Sequence, residues 1–211
     1  MGAVKPPRDS VLPVFPLPGM VLFPRVVVPL HIFEPRYRQM LREILDSHGR
    51  VAMALAVPGG DVDHEATWEI SPTVGVGKVL TYRKNDDGTS DILLVGDVRG
   101  RVETWREWKP YRTATIRSLE DEKPKLLSAR DRLRAELRGH LATLLSRHFV
   151  SDDATEITQT FAREQDIGFL CDFLAYRFLK DPRERQSILE ETNIERRAEL
   201  LREHLATREL I

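Results

Sequence analysis

The chain has 211 residues, room for one large domain or two small ones, and its 32 Lys and Arg nearly balance its 33 Asp and Glu. Residues 1–118 hold 16 basic against 14 acidic side chains and residues 119–211 hold 16 against 19, so neither half has the basic excess of a nucleic-acid binder. The single cysteine, Cys171, excludes an intrachain disulfide framework, and no apolar run approaches the ~18 residues of a membrane-spanning helix.

The first ten residues, MGAVKPPRDS, are too polar for a signal peptide. Pro6 stands where a myristoylation signal at Gly2 needs Ser or Thr. They read as a flexible tail, residues 1–10, on a soluble cytoplasmic protein. The stretch from Leu12 to Leu41 then has prolines at 13, 16, 18, 24, 29 and 35 woven through apolar runs. A fixed φ and a missing N–H bar an ordinary central strand, so the stretch is expected to form short strands, bends and edges. Strands are predicted over Val11–Leu17, Met20–Phe23 and Val26–Ile32. A helix is predicted over 35–47, with Pro35 in its first turn, Tyr37, Met40, Leu41 and Ile44 on one face, and Gly49 past its end.

Val51–Val57 is continuously apolar and short, which fits a strand buried on both faces. A polar loop follows. Thr73–Tyr82 reads as a strand whose Gly75 and Gly77 mark a bulge, a bend or a close backbone approach. Asn85-Asp86-Asp87-Gly88 is a hairpin turn, leading to strands at Ile92–Val95 and Val98–Trp105. Tyr111–Ile116 is the last predicted strand. Many short strands, one inserted helix and glycine kinks point to a small closed or nearly closed barrel, which leaves no exposed edges.

Glu120–Lys125 is polar, contains Pro124 and reads as a domain boundary. Beyond it everything is helical. Leu126, Leu133, Leu137, Leu141, Leu144 and Leu145 form a stripe over about 22 residues, the length of six helical turns. Ile157 and Phe161 mark a short helix. Asp166 caps a helix carrying Ile167, Leu170, Leu174 and Phe178. Asp181-Pro182-Arg183-Glu184 opens the next, and a Thr192-x-x-Glu195 capping box opens the last. The division is therefore 11–119 for the barrel and 120–211 for the helices.

LPVFPLPGMVLFPRVVVPLHIFEPRYRQML resembles the opening of the Lon amino-terminal domain family, especially its small stand-alone bacterial members. GVGKVLTYRKNDDGTSDILLVGDVRGRVETW and YRTATIRSL resemble its glycine-containing strand, its hairpin and its G-x-x-R return, here Gly96 and Arg99. Arg185-Gln186-Ser187-Ile188-Leu189-Glu190 matches its closing R-Q-x-x-L-E pattern. The likeness runs from about 11 to 206, with Arg25 standing where the family often has Gly. It implies an α+β fold, an N-terminal PUA-like pseudo-β-barrel of about six short strands with one inserted helix, followed by a C-terminal α-helical bundle. It also implies the substrate-engaging module of a protease family whose ATPase and Ser–Lys protease domains follow this one and fall outside these residues.

No catalytic constellation rises above background. Gly77-Lys78 lacks a P-loop's other residues, because Pro72 and Val79 stand where Gly and Ser or Thr are needed. The six histidines show no metal spacing, and His64 beside Asp61, Asp63 and Glu65 reads as a solvated acidic loop. Ser71 and Lys78 pair by residue type alone. Glu34 and Arg36 are expected to cap the inserted helix and tie it to the barrel. No catalyst, metal or cofactor is expected. The remaining function is binding, and aromatics carry it: Phe23, Phe33, Tyr37, Trp105 and Trp108 are the candidate peptide-contacting residues, with Trp68 a further loop aromatic. The expected partners are unfolded or apolar polypeptide segments or partner proteins, and neither a membrane nor nucleic acid. The alternatives are an RNA-binding barrel, which a clustered Lys/Arg face would favour, and a regulatory adaptor for a separate protease or chaperone.

Overall fold

The computed structural model describes residues 9–57, 68–106, 110–148 and 164–209. Its elements are β1 (Asp9–Pro18), β2 (Val27–Ile32), α1 (Pro35–Leu45), β3 (Arg50–Val57), β4 (Glu69–Ile70), β5 (Thr73–Lys84), β6 (Ser90–Trp105), β7 (Arg112–Leu119), α2 (Leu127–His148), α3 (Ile167–Phe178), α4 (Pro182–Glu190) and α5 (Ile194–Glu209). The helix predicted around Ile157 and Phe161 lies outside the described residues.

The barrel closes. β1 pairs with β7, β7 with β6, β6 with β5 and β5 with β3, all antiparallel, and β3 returns to β1 in parallel. Five strands enclose little space, and the residues inside are correspondingly small. Leu12, Val14, Ala52, Ala54, Val74, Val76, Ala114 and Ile116 form that interior cluster. The alternate residues of β3, Val51, Met53 and Leu55, point out of the barrel into a second cluster with α1. Burial on both faces accounts for the unbroken apolar run of this strand.

Two strand predictions are corrected. Met20–Phe23 is irregular rather than a strand. Its backbone lies directly against the barrel: a Cβ on Gly75 would sit 2.0 Å from Leu22 O, and one on Gly96 would sit 2.0 Å from Phe23 O. The two glycines thus mark a close backbone approach. Ile92–Val95 and Val98–Trp105 are one 16-residue strand, β6, rather than two. It absorbs its extra residues as bulges, since the β5 partners pass from Val98 to Gly96 and the β7 partners from Val102 to Thr104.

The helix boundaries follow local chemistry. Gly49, at φ +66°, donates its N–H to Ile44 O at 2.7 Å and closes α1. Asp166 accepts from Phe169 N–H and Asp181 from Arg183 N–H, as the sequence predicts. The cap of α5 is Asn193 rather than Thr192, because Asn193 Oδ1 accepts from Arg196 N–H at 3.1 Å. Thr192 instead gives its carbonyl to Glu122 N–H, and Glu122 O takes Ile194 N–H, which binds the boundary segment to the α4–α5 junction. The outer cluster runs without a break from Phe23 and Met40 to Leu170, Leu189 and Leu201, so barrel and helices share one core.

A buried charge network crosses the same boundary. Arg99 on β6 bonds Asp172 on α3 and donates through Nε to Leu189 O at 3.1 Å. Arg197 on α5 donates through Nη1 to Asp121 Oδ2 at 3.0 Å and through Nε to Glu191 O at 2.7 Å. Arg99, Asp172 and Arg197 are all buried. Burial pushes the Asp172 carboxyl up, against the pull of the two guanidinium groups.

Candidate functional site

β2 stands outside the closed ring. Among the described residues it pairs with β6 alone, and no strand is paired to its other edge. The register sets Val28 against Leu94, Leu30 against Ile92 and Ile32 against Ser90. Gly96 N–H donates to Val26 O at 2.9 Å, just ahead of that ladder. The alternation of antiparallel bonds then gives Val28, Leu30 and Ile32 the bonds to β6 and turns the backbone of Val27, Pro29 and His31 outward. Pro29 therefore sits where no ladder donor is needed, which resolves the proline inside this apolar run.

The outer face of β2–β6–β5 is apolar with one polar row. Pro29, Leu93 and Thr81 align across the three strands, as do His31, Asp91 and Arg83. Together they line a shallow depression of about 460 Å³. The polar row is fixed: His31 Nδ1–H donates to Asp91 Oδ1 at 2.7 Å and Arg83 Nη2 to Asp91 Oδ2 at 2.8 Å. These bonds, with one from Asn85, hold the Asp91 carboxyl well below the usual carboxylate range. Phe33 stacks beside His31 with ring centroids 6.2 Å apart and is 61% exposed. Leu80 is the extra residue of the β5 bulge between Val79 and Thr81, and it is 60% exposed. Val27 completes the exposed apolar set at the other end of β2.

The aromatics singled out from the sequence do not gather into one site. Phe23 is fully buried. Tyr37 is 4% exposed and packs on Phe15 at 4.2 Å. Both belong to the core that seats the opening stretch on the barrel. Trp105 is 44% exposed, but about 45 Å of strand separates it from Asp91 at ~3.3 Å per residue along β6. Trp108 lies outside the described residues. Leu80 and Val27 escaped sequence reading, because a bulge and an open edge decide their exposure and neither has a composition signal.

The remaining candidates resolve as follows. Glu34 stands at the N-cap of α1, but its side chain takes Arg36 at 2.8 Å instead of capping, and its carbonyl accepts from Tyr37 and Arg38 N–H. Ser71 and Lys78 are separated by roughly 20 Å of extended backbone at ~3.3 Å per residue, with Ser71 N–H on Leu55 O and Lys78 opposite Arg50. Gly77 and Lys78 lie inside β5 rather than before a helix. The loop of His64 lies outside the described residues. Trp68 has a buried indole N–H with no acceptor among the described residues. Among those residues no group of three or more His, Cys, Asp or Glu could hold a metal ion, and no helix is long and apolar enough to cross a membrane. Arg101 faces Arg117 across β6–β7, but Arg117 is ion-paired with Glu103 and Arg106 bonds Thr115, so this face is mixed rather than uniformly basic.

Comparison with known proteins adds to this geometry. Residues 11–207 match the family described as ATP-dependent protease La (LON) substrate-binding domain. Lon protease 2 of Herpetosiphon aurantiacus is 25% identical over 186 residues, 88% of this chain and 22% of that protein. Lon protease of Chloroherpeton thalassium is 26% identical over 195 residues, 92% of this chain and 22% of that protein. The chain thus spans under a quarter of the length of these curated relatives. Two solved structures share the fold: the N-terminal domain of Mycobacterium avium complex Lon protease, with TM-score 0.71, 18% identity and coverage of 91% of this chain and 96% of that one, and a Lon N-terminal domain protein from Xanthomonas campestris, with TM-score 0.66, 22% identity and the same coverage.

Proposed function

The chain belongs to the LON substrate-binding domain family, and from that premise we propose that it is a non-catalytic module that engages unfolded or apolar polypeptide segments on the outer face of β2–β6–β5. The observation that carries this reading is the combination of a β2 edge with no further strand among the described residues, exposed Val27 on that strand, Phe33 just past its end, and exposed Leu80 two strands away on β5. An open edge offers unpaired N–H and C=O groups to an extended chain, and flanking apolar side chains offer contact area that folded substrates keep hidden. Of the aromatics predicted from the sequence, Phe33 is exposed beside this face, and Trp105 is exposed at the far end of β6. The family name suggests the class of partner, a protein substrate, and the exposed apolar side chains support a preference for apolar, extended segments.

Titration with a denatured protein and with apolar peptides tests the reading. Saturable binding is expected, and Phe33→Asp and Leu80→Asp should each weaken it about tenfold, as for contacts worth ~1.4 kcal/mol. Both side chains are exposed, so stability should stay within about 0.5 kcal/mol of wild type. The reading fails if no saturable binding is seen up to roughly 100 μM, a free energy of about −5.5 kcal/mol.

A further inference from the structure

The turn that leads into β2 combines backbone strain with a long-range contact. Phe23 to Val26 form a β-turn closed by Val26 N–H on Phe23 O at 3.2 Å, with Pro24 and Arg25 at its centre. Arg25 has φ +65° and is the one non-glycine residue with positive φ among the described residues. A Cβ there crowds the backbone, which is why glycine usually takes the place after proline in turns of this kind. Such a conformation persists only where the surroundings hold it. Arg25 N–H donates to Gly96 O at 2.8 Å, and the guanidinium reaches across to the helices. Its Nη2 donates to Glu164 Oε2 at 2.7 Å, and its Cζ lies 3.9 Å from the Phe169 ring centroid. Glu164 Oε1 also accepts the backbone N–H groups of Gln165 and Asp166, each at 2.8 Å, so one carboxylate organises the start of α3 and receives the barrel's arginine. Burial pushes the Glu164 carboxyl up, but these donors outweigh it and hold it below the ordinary glutamate value.

Arg25 and Phe169 also line a cleft of about 310 Å³ between barrel and α3, with Arg99 and Asp172 among the other lining residues. The lining holds more carboxylates than cations, which weighs against an anionic ligand drawn to Arg25. The glutamate that Arg25 meets is the chain's own.

We infer that Arg25 is a salt-sensitive latch, whose side chain holds the turn before β2 against the start of α3. The strain at Arg25 favours release and the two side-chain contacts oppose it, so the latched state depends on charges near the surface. The Arg25 side chain is 51% exposed, and salt therefore screens the pair. This latch rests on observations separate from the polypeptide face.

Hydrogen exchange on the full chain tests it, read at the amides of Phe169 and Leu170, which bond Asp166 Oδ1 and Asp166 O. Arg25→Ala removes the latch and keeps the strain; Arg25→Gly removes both. In low salt both variants should exchange about three- to tenfold faster than wild type at these amides, the effect of losing one part-exposed ion pair and one cation–π contact. At about 1 M salt, where the screening length is ~3 Å, the wild type should accelerate towards the variants and the variants should hold their rates. The glycine variant should also unfold at a higher urea concentration than the alanine variant. Wild-type exchange rates in Arg25→Gly, or equal salt acceleration in wild type and variants, would overturn the latch. Should Arg25→Ala fail to fold, Arg25→Gly still decides, since glycine adopts this φ freely.

Discussion

Cys171 lies within α3 with no exposed surface, and burial pushes its thiol up to about 12. The thiolate is the reactive form, so at pH 8 the folded protein presents almost none of it. Iodoacetamide should leave the native protein unlabelled and modify it fully in denaturant; rapid native labelling would place Cys171 at a surface. Asp91 shows the opposite shift. Bonds from His31, Arg83 and Asn85 hold its pKa down. A carboxylate depressed in the folded state adds stability above its unfolded pKa, near 3.9, and loses that stability as the pH falls below it. Wild type should therefore resist urea better than Asp91→Asn at pH 6, and the gap should begin to narrow only below about pH 4, the unfolded carboxylate value, and go on shrinking as the pH falls towards the lower folded value. A gap that is constant with pH would mean the side chain acts by packing alone.

Glycine placement in β5 and β6 sets how the opening stretch is seated. Leu22 and Phe23 press their backbone on Gly75 and Gly96, leaving no room for a Cβ at either site. Gly75→Ala should cost about 3 kcal/mol or more, at or beyond the upper end of ordinary overpacking, because the obstructing atom is a backbone carbonyl that cannot rotate away. A urea midpoint close to wild type would show that the stretch moves aside. Much of this architecture is legible in the residues. The Gly75 close approach, the Pro35 helix start, the Asn85–Gly88 hairpin and the Asp166 and Asp181 caps each follow from one residue's backbone preference. Met20–Phe23 misleads because its continuous apolar run reflects packing against the barrel rather than ladder pairing. Gly96-Asp97 misleads because a bulge looks the same as a strand break in a single sequence. The candidate face was half legible: Phe33 could be named from its type, whereas the exposure of Leu80 and Val27 depends on which strand is left at the edge.

Across the whole molecule, the barrel and the helices meet over one apolar core and one buried charge network. We propose 11–119 and 120–211 as its two units, and Arg99 and Asp172 belong to different ones. Taking both charges out of water is expensive, and their attraction offsets that cost only while both are present. Asp172→Leu leaves Arg99 buried with Leu189 O and a longer 3.7 Å approach to Asp121, whose carboxylate already serves Arg197. The variant should lose about 3–5 kcal/mol, the usual penalty for an orphaned buried charge. Arg99→Met alone should cost less, since Asp172 can still take Arg197 at 3.5 Å or bind a proton, the direction in which burial already pushes it. Removing both charges together should cost less than the sum, because the double variant orphans neither group. A urea-denaturation double-mutant cycle reads this directly. Additive losses, or a loss below about 1 kcal/mol in Asp172→Leu, the range of exposed pairs, would mean that water reaches the network. The apolar core would then hold barrel and helices together without it.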